Sequence, residues 1–136
     1  MGDITLDKTL VRPVHPSECI YSDNTEAGDT ITAGQIVYLN STSGWTLAAA
    51  GAAGTISGQI GLVVAPQDSV DGDTGLSVLL KGLVCGFTGM TPGALHFVSD
   101  TAGAIATSHG TITKHVGYAD SATVLHFDPN APANPT

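Results

Sequence analysis

An all-β fold is predicted by three features of this sequence: an internal duplication, short apolar runs punctuated by glycine, and no sustained helical periodicity. Thr32-Ala33-Gly34-Gln35-Ile36-Val37-Tyr38-Leu39 aligns without a gap on Thr91-Pro92-Gly93-Ala94-Leu95-His96-Phe97-Val98. The same register sets Thr42 on Thr101 and Gly44 on Gly103. Further along, Ile60-Gly61-Leu62-Val63 answers Val116-Gly117-Tyr118-Ala119, and Ser77-Val78-Leu79-Leu80 answers Thr123-Val124-Leu125-His126. The connections are shorter in the second copy. Short strands at regular spacing between turn residues indicate a small β-barrel or sandwich. The expected organisation is an N-terminal arm over 1–28, a β domain over 29–128 and a disordered tail over 129–136. Within the β domain, the two related units span about 29–87 and 88–128.

In the arm, Asp3-Ile4-Thr5-Leu6-Asp7 alternates polar and apolar residues, which places Ile4 and Leu6 on one face of a strand. Pro13 and Pro16 then favour an extended chain. The arm therefore reads as partly edge strand and partly extended. Gly28-Asp29-Thr30 and Ala33-Gly34 are turn signals. Gln35–Leu39 is the first clear strand, Ser41-Thr42-Ser43-Gly44 turns, and Trp45–Ala48 returns. Ala48–Gly58 reads as a loop, because Gly51 and Gly54 interrupt its helix-favouring alanines. Gln59–Ala65 is a strand and Pro66–Gly75 a polar loop. Leu76–Leu80 and Leu83–Phe87 are expected to pair as a hairpin across Lys81-Gly82. The second copy supplies strands at Leu95–Ser99, Gly103–Thr107, His115–Ala119 and Thr123–Phe127. The tail carries Pro129, Pro132 and Pro135 and nothing apolar larger than alanine, a composition that favours disorder.

Composition narrows the function. The chain has 136 residues, a net charge of −8 and only four cations, Lys8, Arg12, Lys81 and Lys114. Nucleic-acid binding needs clustered Lys and Arg, so nucleic acid is not an expected partner. Charged residues make up 12% of the chain, about half the usual share. The weakly charged surface suits broad protein contact, so assembly into a homo-oligomer is expected. No apolar stretch approaches the length of a membrane span, so no membrane contact is expected. Met1-Gly2-Asp3-Ile4 lacks the basic and apolar regions of a signal peptide. Cys19 and Cys85 are too few for a disulfide framework, and Cys85 reads as a small buried hydrophobe.

Candidate chemistry is sparse. Asp68, Asp71 and Asp73 cluster in one loop, without the spacing or the closing glutamate of a calcium-binding hand. They read as an acidic surface loop built on Asp-Gly turn chemistry. His15, His96, His109, His115 and His126 lack metal-site spacing, although His115 and His126 approach if their strands pair. Ser99, Asp100 and His109 supply the residue types of a catalytic triad without a nucleophile elbow. Trp45, Tyr38 and Phe97 offer aromatic faces to a sugar. Tyr38 and Phe97, however, hold matching repeat positions, which argues for one shared core role. The chain reads as a non-enzyme without a cofactor or metal.

Several stretches resemble one family. Gly2-Asp3-Ile4-Thr5-Leu6 is similar to the opening of small tailed-phage virion proteins, the capsid cement or head-decoration proteins. Ala27–Leu39 resembles their glycine-turn segment that ends in a Tyr-Leu strand. Gly86–Gly103 looks like the Gly-Phe…Thr-Pro-Gly…Val-Ser-Asp-Thr-Ala-Gly segment of phage head and tail appendage domains. Val116–Leu125 is similar to the ending of those domains. His96 stands where the family often has Tyr, and Asp120 replaces a common apolar residue. The resemblance implies a homotrimer on the outer capsid surface of the virion that cements neighbouring subunits of the major capsid protein. It also implies synthesis in the host cytoplasm. The alternative is a tail fibre, spike or appendage module that binds a host receptor. In the arm, Ile4, Leu6, Leu10 and Val11 beside Lys8 and Arg12 are the expected capsid or subunit contacts, by strand addition. Removal of 1–12 is expected to leave a folded domain that no longer attaches.

Overall fold

The computed structural model describes residues 3–40, 44–56 and 58–129. The arm contributes β1 (Thr5–Leu6), β2 (Arg12–Pro13) and β3 (Ile20–Tyr21). The first unit follows with β4 (Ile31–Thr32), β5 (Ile36–Asn40), β6 (Gly44–Leu47), β7 (Ile60–Ala65), β8 (Asp68–Ser69) and β9 (Ser77–Cys85). After β10 (Phe87–Thr88), the second unit supplies β11 (Leu95–Val98), β12 (Ile105–Ala106), β13 (His115–Ala119) and β14 (Val124–Phe127). Helix among the described residues is confined to two 3₁₀ turns, Pro16–Glu18 and Ala53–Thr55. The fold is all-β, a curled half-barrel. The turn residues Ser41, Thr42 and Ser43, and the expected tail beyond Pro129, lie outside the described residues.

One antiparallel path, β12-β11-β13-β14-β9-β7-β5-β6, runs through both units. Its centre is β9, and here the expected hairpin is corrected. Lys81-Gly82 does not reverse the chain, and β9 continues through it for nine residues. A two-residue hairpin turn needs positive φ at both central residues in type I′ and at the first in type II′. Only Gly82, at φ 145°, has it. The first half of β9 pairs with β7 and the second half with β14. The strand therefore passes from one half-sheet to the other, a common way to turn a sandwich corner. Two further differences are local. The loop Pro66–Gly75 contains β8, which pairs with β4. The stretch after Pro13 tightens into a 3₁₀ turn, because Pro16 takes its first position.

The arm is folded onto its own domain. β1 pairs with β10, β2 with the second half of β9, and β3 with the first half. Ile4 N–H donates to the Ile105 carbonyl at 2.9 Å, and Asp7 N–H to the Gly86 carbonyl at 2.9 Å. Between β2 and β3 the chain crosses β9 at Gly82, where Cys19 lies against the glycine.

The duplication is visible in the hydrogen bonds. Gly34 N–H donates to Val63 O and Gly93 N–H to Ala119 O. Val63 N–H donates to Gln35 O, and Ala119 N–H to Ala94 O. Ile36 lies opposite Leu62 as Leu95 lies opposite Tyr118. The aligned units nevertheless turn opposite faces to the shared core. Ile36 and Leu62 lie in the main core, whereas Val37 and Val63 form a second, smaller cluster with Trp45 and Val78. In the second unit, Ala119, Leu125 and Phe127 enter the main core, whereas Leu95 and Tyr118, the counterparts of Ile36 and Leu62, lie on the outer side with half-buried side chains. The last alignment segment also shifts by one residue. Val63 pairs with Val78, and its counterpart Ala119 pairs with Leu125, so Val78 answers Leu125 and not Val124.

The smaller cluster is sealed by the chain's own excursions. Ala27, Ile31 and Leu76 cover Val37, Trp45, Val63 and Val78. Trp45 is 0% exposed, and its indole Nε1 donates to the Asn24 carbonyl at 2.8 Å. Burial of so large an aromatic with its polar atom satisfied is a strong anchor for the covering segment.

Candidate functional site

The six arm residues fall into two groups. Val11 is buried in the main core, and Ile4 and Leu6 pack against that core. Arg12 is exposed opposite Cys85, and Leu10 is 52% exposed. Lys8 is partly exposed, and its ammonium forms an ion pair with Asp68 at 2.8 Å. A surface pair of this kind contributes little. Surface available to a partner is thus concentrated at the Asp7–Leu10 turn and at Arg12. A groove of about 440 Å³ opens between them, lined by Thr5, Asp7, Leu10, Arg12, Cys85 and Thr123 among others. Cys85 is half-buried at its wall and not enclosed, with Sγ 3.5 Å from the Leu10 carbonyl.

Asp7 shapes that turn. Its carboxylate accepts from the Thr9 hydroxyl at 2.6 Å and the Thr9 N–H at 3.0 Å. These bonds, the hydroxyl first, hold the Asp7 carboxyl below its ordinary 3.8. A lowered acid adds stability above pH 3.8 that is lost as pH falls through the lowered value. Asp7→Asn is therefore expected to flatten the acid limb of a pH series of unfolding midpoints. An unchanged limb would show that other carboxylates set it. At the far end of the arm, burial and then the neighbouring Cys19 raise the Tyr21 phenol above its ordinary 10.0.

The remaining candidates do not converge. Ser99 Oγ donates to Asp3 at 2.6 Å, and Asp100 accepts from the Thr111 N–H and hydroxyl. The Nδ1 of His109 lies 2.8 Å from the Gly110 carbonyl. These residues are thus engaged separately, and no triad forms. In the acidic loop, Asp68 holds Lys8 and Asp73 accepts from the Val70 N–H at 2.9 Å. No group of three His, Cys, Asp or Glu among the described residues is placed to hold a metal. His126 lies beside Tyr118, not beside His115, which faces Phe97.

Trp45 has no face open to a sugar. Tyr38 packs against the main core, but Phe97 lies on the outer side and meets His109 edge-on at 6.2 Å. The shared core role expected for Tyr38 and Phe97 therefore fails, because the units are reversed. His96 instead takes an inward place. It is 1% exposed, with Nδ1 3.0 Å from the Ala94 carbonyl and Nε2 without a partner.

Sequence reasoning missed the outer face of the second unit. Val14 N–H bonds the Leu83 carbonyl, Leu83 lies opposite His126, His126 opposite Tyr118, and Tyr118 opposite Leu95. Arg12, Cys85 and Val124 form the next row. The signal was present in the paired positions Ile36/Leu95 and Leu62/Tyr118, but an alignment does not say which face turns inward. No protein-family model, curated protein or solved structure matches this chain.

Proposed function

We propose that this chain is a structural virion protein of a tailed phage, which binds the outer capsid surface as a homotrimer and cements neighbouring subunits of the major capsid protein. The observation that carries this reading is where the resembling stretches fall. The N-terminal stretch ends on β1, the second takes in β4 and all but the last residue of β5, the third takes in β10 and β11, and the last takes in all but the first residue of β13. They fall on strands of both units and not on one interchangeable loop, while β7 and the central β9 lie outside them. A rigid duplicated β body presenting broad, weakly charged surface suits repeated modest contacts, which multiply into avidity on a lattice. Trp45, one of the three aromatics a sugar-binding appendage would draw on, is buried, while Phe97 stays on the outer side beside His109.

The test is cosedimentation of the purified chain with expanded, undecorated shells. Saturable binding at a fixed ratio to the major capsid protein is expected. Failure to bind, together with absence of the chain from purified virions, overturns the proposal. The arm's share is read from Lys8→Glu combined with Leu10→Asp, at positions that are part-exposed or exposed. The unfolding midpoint should stay close to that of the native chain while shell affinity falls at least about tenfold. Undiminished binding would remove the Asp7–Leu10 turn from the contact.

A further inference from the structure

The outer face of the second unit is made from core-type positions. Leu95 and Tyr118 stand where Ile36 and Leu62 stand in the first unit, and those two are 0% exposed. Phe97 stands where Tyr38 packs against the main core. The row Val14, Leu83, His126, Tyr118, Leu95 crosses β2, β9, β14, β13 and β11 side by side. An antiparallel sheet that meets water ordinarily alternates polar residues outward. This row is mostly apolar or aromatic, and Val14 is 37% exposed. The first unit seals its own outer face with Ala27, Ile31 and Leu76. The shorter connections of the second unit provide no equivalent cover among the described residues.

Charge identifies the occupant. Arg12 and His126 lie on this face, and Lys81 borders it, paired with Asp128 at 3.7 Å. Glu18 and His15 line the adjoining groove over Gly82. The excursions over the first unit carry Asp23, Glu26, Asp29, Asp68, Asp71 and Asp73. Among these carboxylates Val70 projects, 57% exposed.

We propose that the Val70 loop of a second copy of this chain docks on the outer face of the second unit. An apolar tip beside Asp71 and Asp73 meets an apolar row beside the exposed cation Arg12, with Lys81 at its border. The contact joins two different patches, so it is heterologous, and it forms a ring where the rotation between copies closes and a filament where it does not. This inference rests on the oligomer reading above and names the surfaces that make it.

Light scattering on the full chain and its variants tests the contact. The native chain is expected to show an oligomer mass. Val70→Asp alone, and Val14→Asp combined with His126→Glu, are each expected to give monomers with native circular dichroism, since all three positions are exposed. An equimolar mixture of the two monomeric variants should recover a dimer, because one intact loop and one intact face remain. Should Val70→Asp disturb folding, Asp71→Lys reads the same patch by charge and should weaken association. An unchanged oligomer mass in both folded variants overturns this contact and leaves the oligomer reading standing. A mixture that stays monomeric also overturns it. A monomeric native chain overturns both readings of self-association, and loss of shell binding in the face variant would then assign the face to the capsid.

Discussion

Gly117→Ala is expected to cost about 4 kcal/mol of stability, enough to leave a domain of ordinary stability only marginally folded. Gly117 sits in the middle of β13 at φ 144°, a backbone state that side-chain-bearing residues rarely adopt. Strain of this kind costs roughly 1–3 kcal/mol. Space adds a second penalty. A Cβ there would run into the His126 carbonyl oxygen, and it would lie 3.0 Å from the Asp128 backbone nitrogen. Both belong to backbone held by pairing across β13 and β14, and the Asp128 N–H donates to the Val116 carbonyl at 2.8 Å. Overpacking against backbone that cannot yield costs roughly another 1–3 kcal/mol.

The matching glycine of the first unit gives an internal comparison. A Cβ on Gly61 would meet the Val78 side chain, with the Leu79 carbonyl at 3.4 Å, and Gly61 lacks the positive φ. Gly61→Ala should therefore cost less than Gly117→Ala, about 2 kcal/mol. Gly51→Ala, where a Cβ meets nothing within 4 Å, should be neutral within about 0.5 kcal/mol. Urea unfolding of the three variants gives the order. Equal midpoints for Gly117→Ala and Gly51→Ala would contradict the described geometry of β13.

Much of this framework was legible in the sequence because strand formation here is governed locally. The Thr-x-Gly turns at Gly34 and Gly93, and the apolar runs of β5, β7, β11 and β13, carry their own turn and strand signals. Three features were not legible in the same way. The reversal of the second unit is invisible to alignment, because Leu95 and Ile36 match equally well whichever way they face. The continuation of β9 through Gly82 depends on φ at one residue and on partners far away in sequence. The burial of Trp45 depends on the covering segment around Asn24 and Ala27, whose own residues look like surface turns. The candidate contact surface was partly readable for a related reason. Alternation in the arm places Ile4 and Leu6 on one face, but it does not say whether that face meets the chain's own core or another protein.

The arm is where this ambiguity has the largest consequence. Removal of 1–12 was expected to leave a folded domain, and the structure predicts otherwise: the truncated chain should be largely unfolded or strongly destabilised. The deletion takes away β1 and half of β2, and with them Val11 and the packing of Ile4 and Leu6 on the main core. Full burial of an aliphatic side chain contributes roughly 1.5–3 kcal/mol. One fully and two partly buried residues therefore account for about 4 kcal/mol before any backbone bond is counted. The site they vacate cannot close. Gly34 is shaped to the Leu6 side chain, and a Cβ on Gly86 would lie 2.7 Å from Val11 Cα. At Gly86 the two backbones meet directly, so the arm and this part of the domain are fitted to each other. The hydrogen bonds that Ile4 and Asp7 donate to the carbonyls of Ile105 and Gly86 are lost as well, each worth roughly 0.5–1.5 kcal/mol net. Thermal unfolding followed by circular dichroism is the measurement. A cooperative transition within a few degrees of the full chain would show that the arm is dispensable to the fold, as first expected. A lost or strongly lowered transition would mean that a truncation cannot report on shell attachment, which leaves the part-exposed Lys8 and the exposed Leu10 as the places to ask that question.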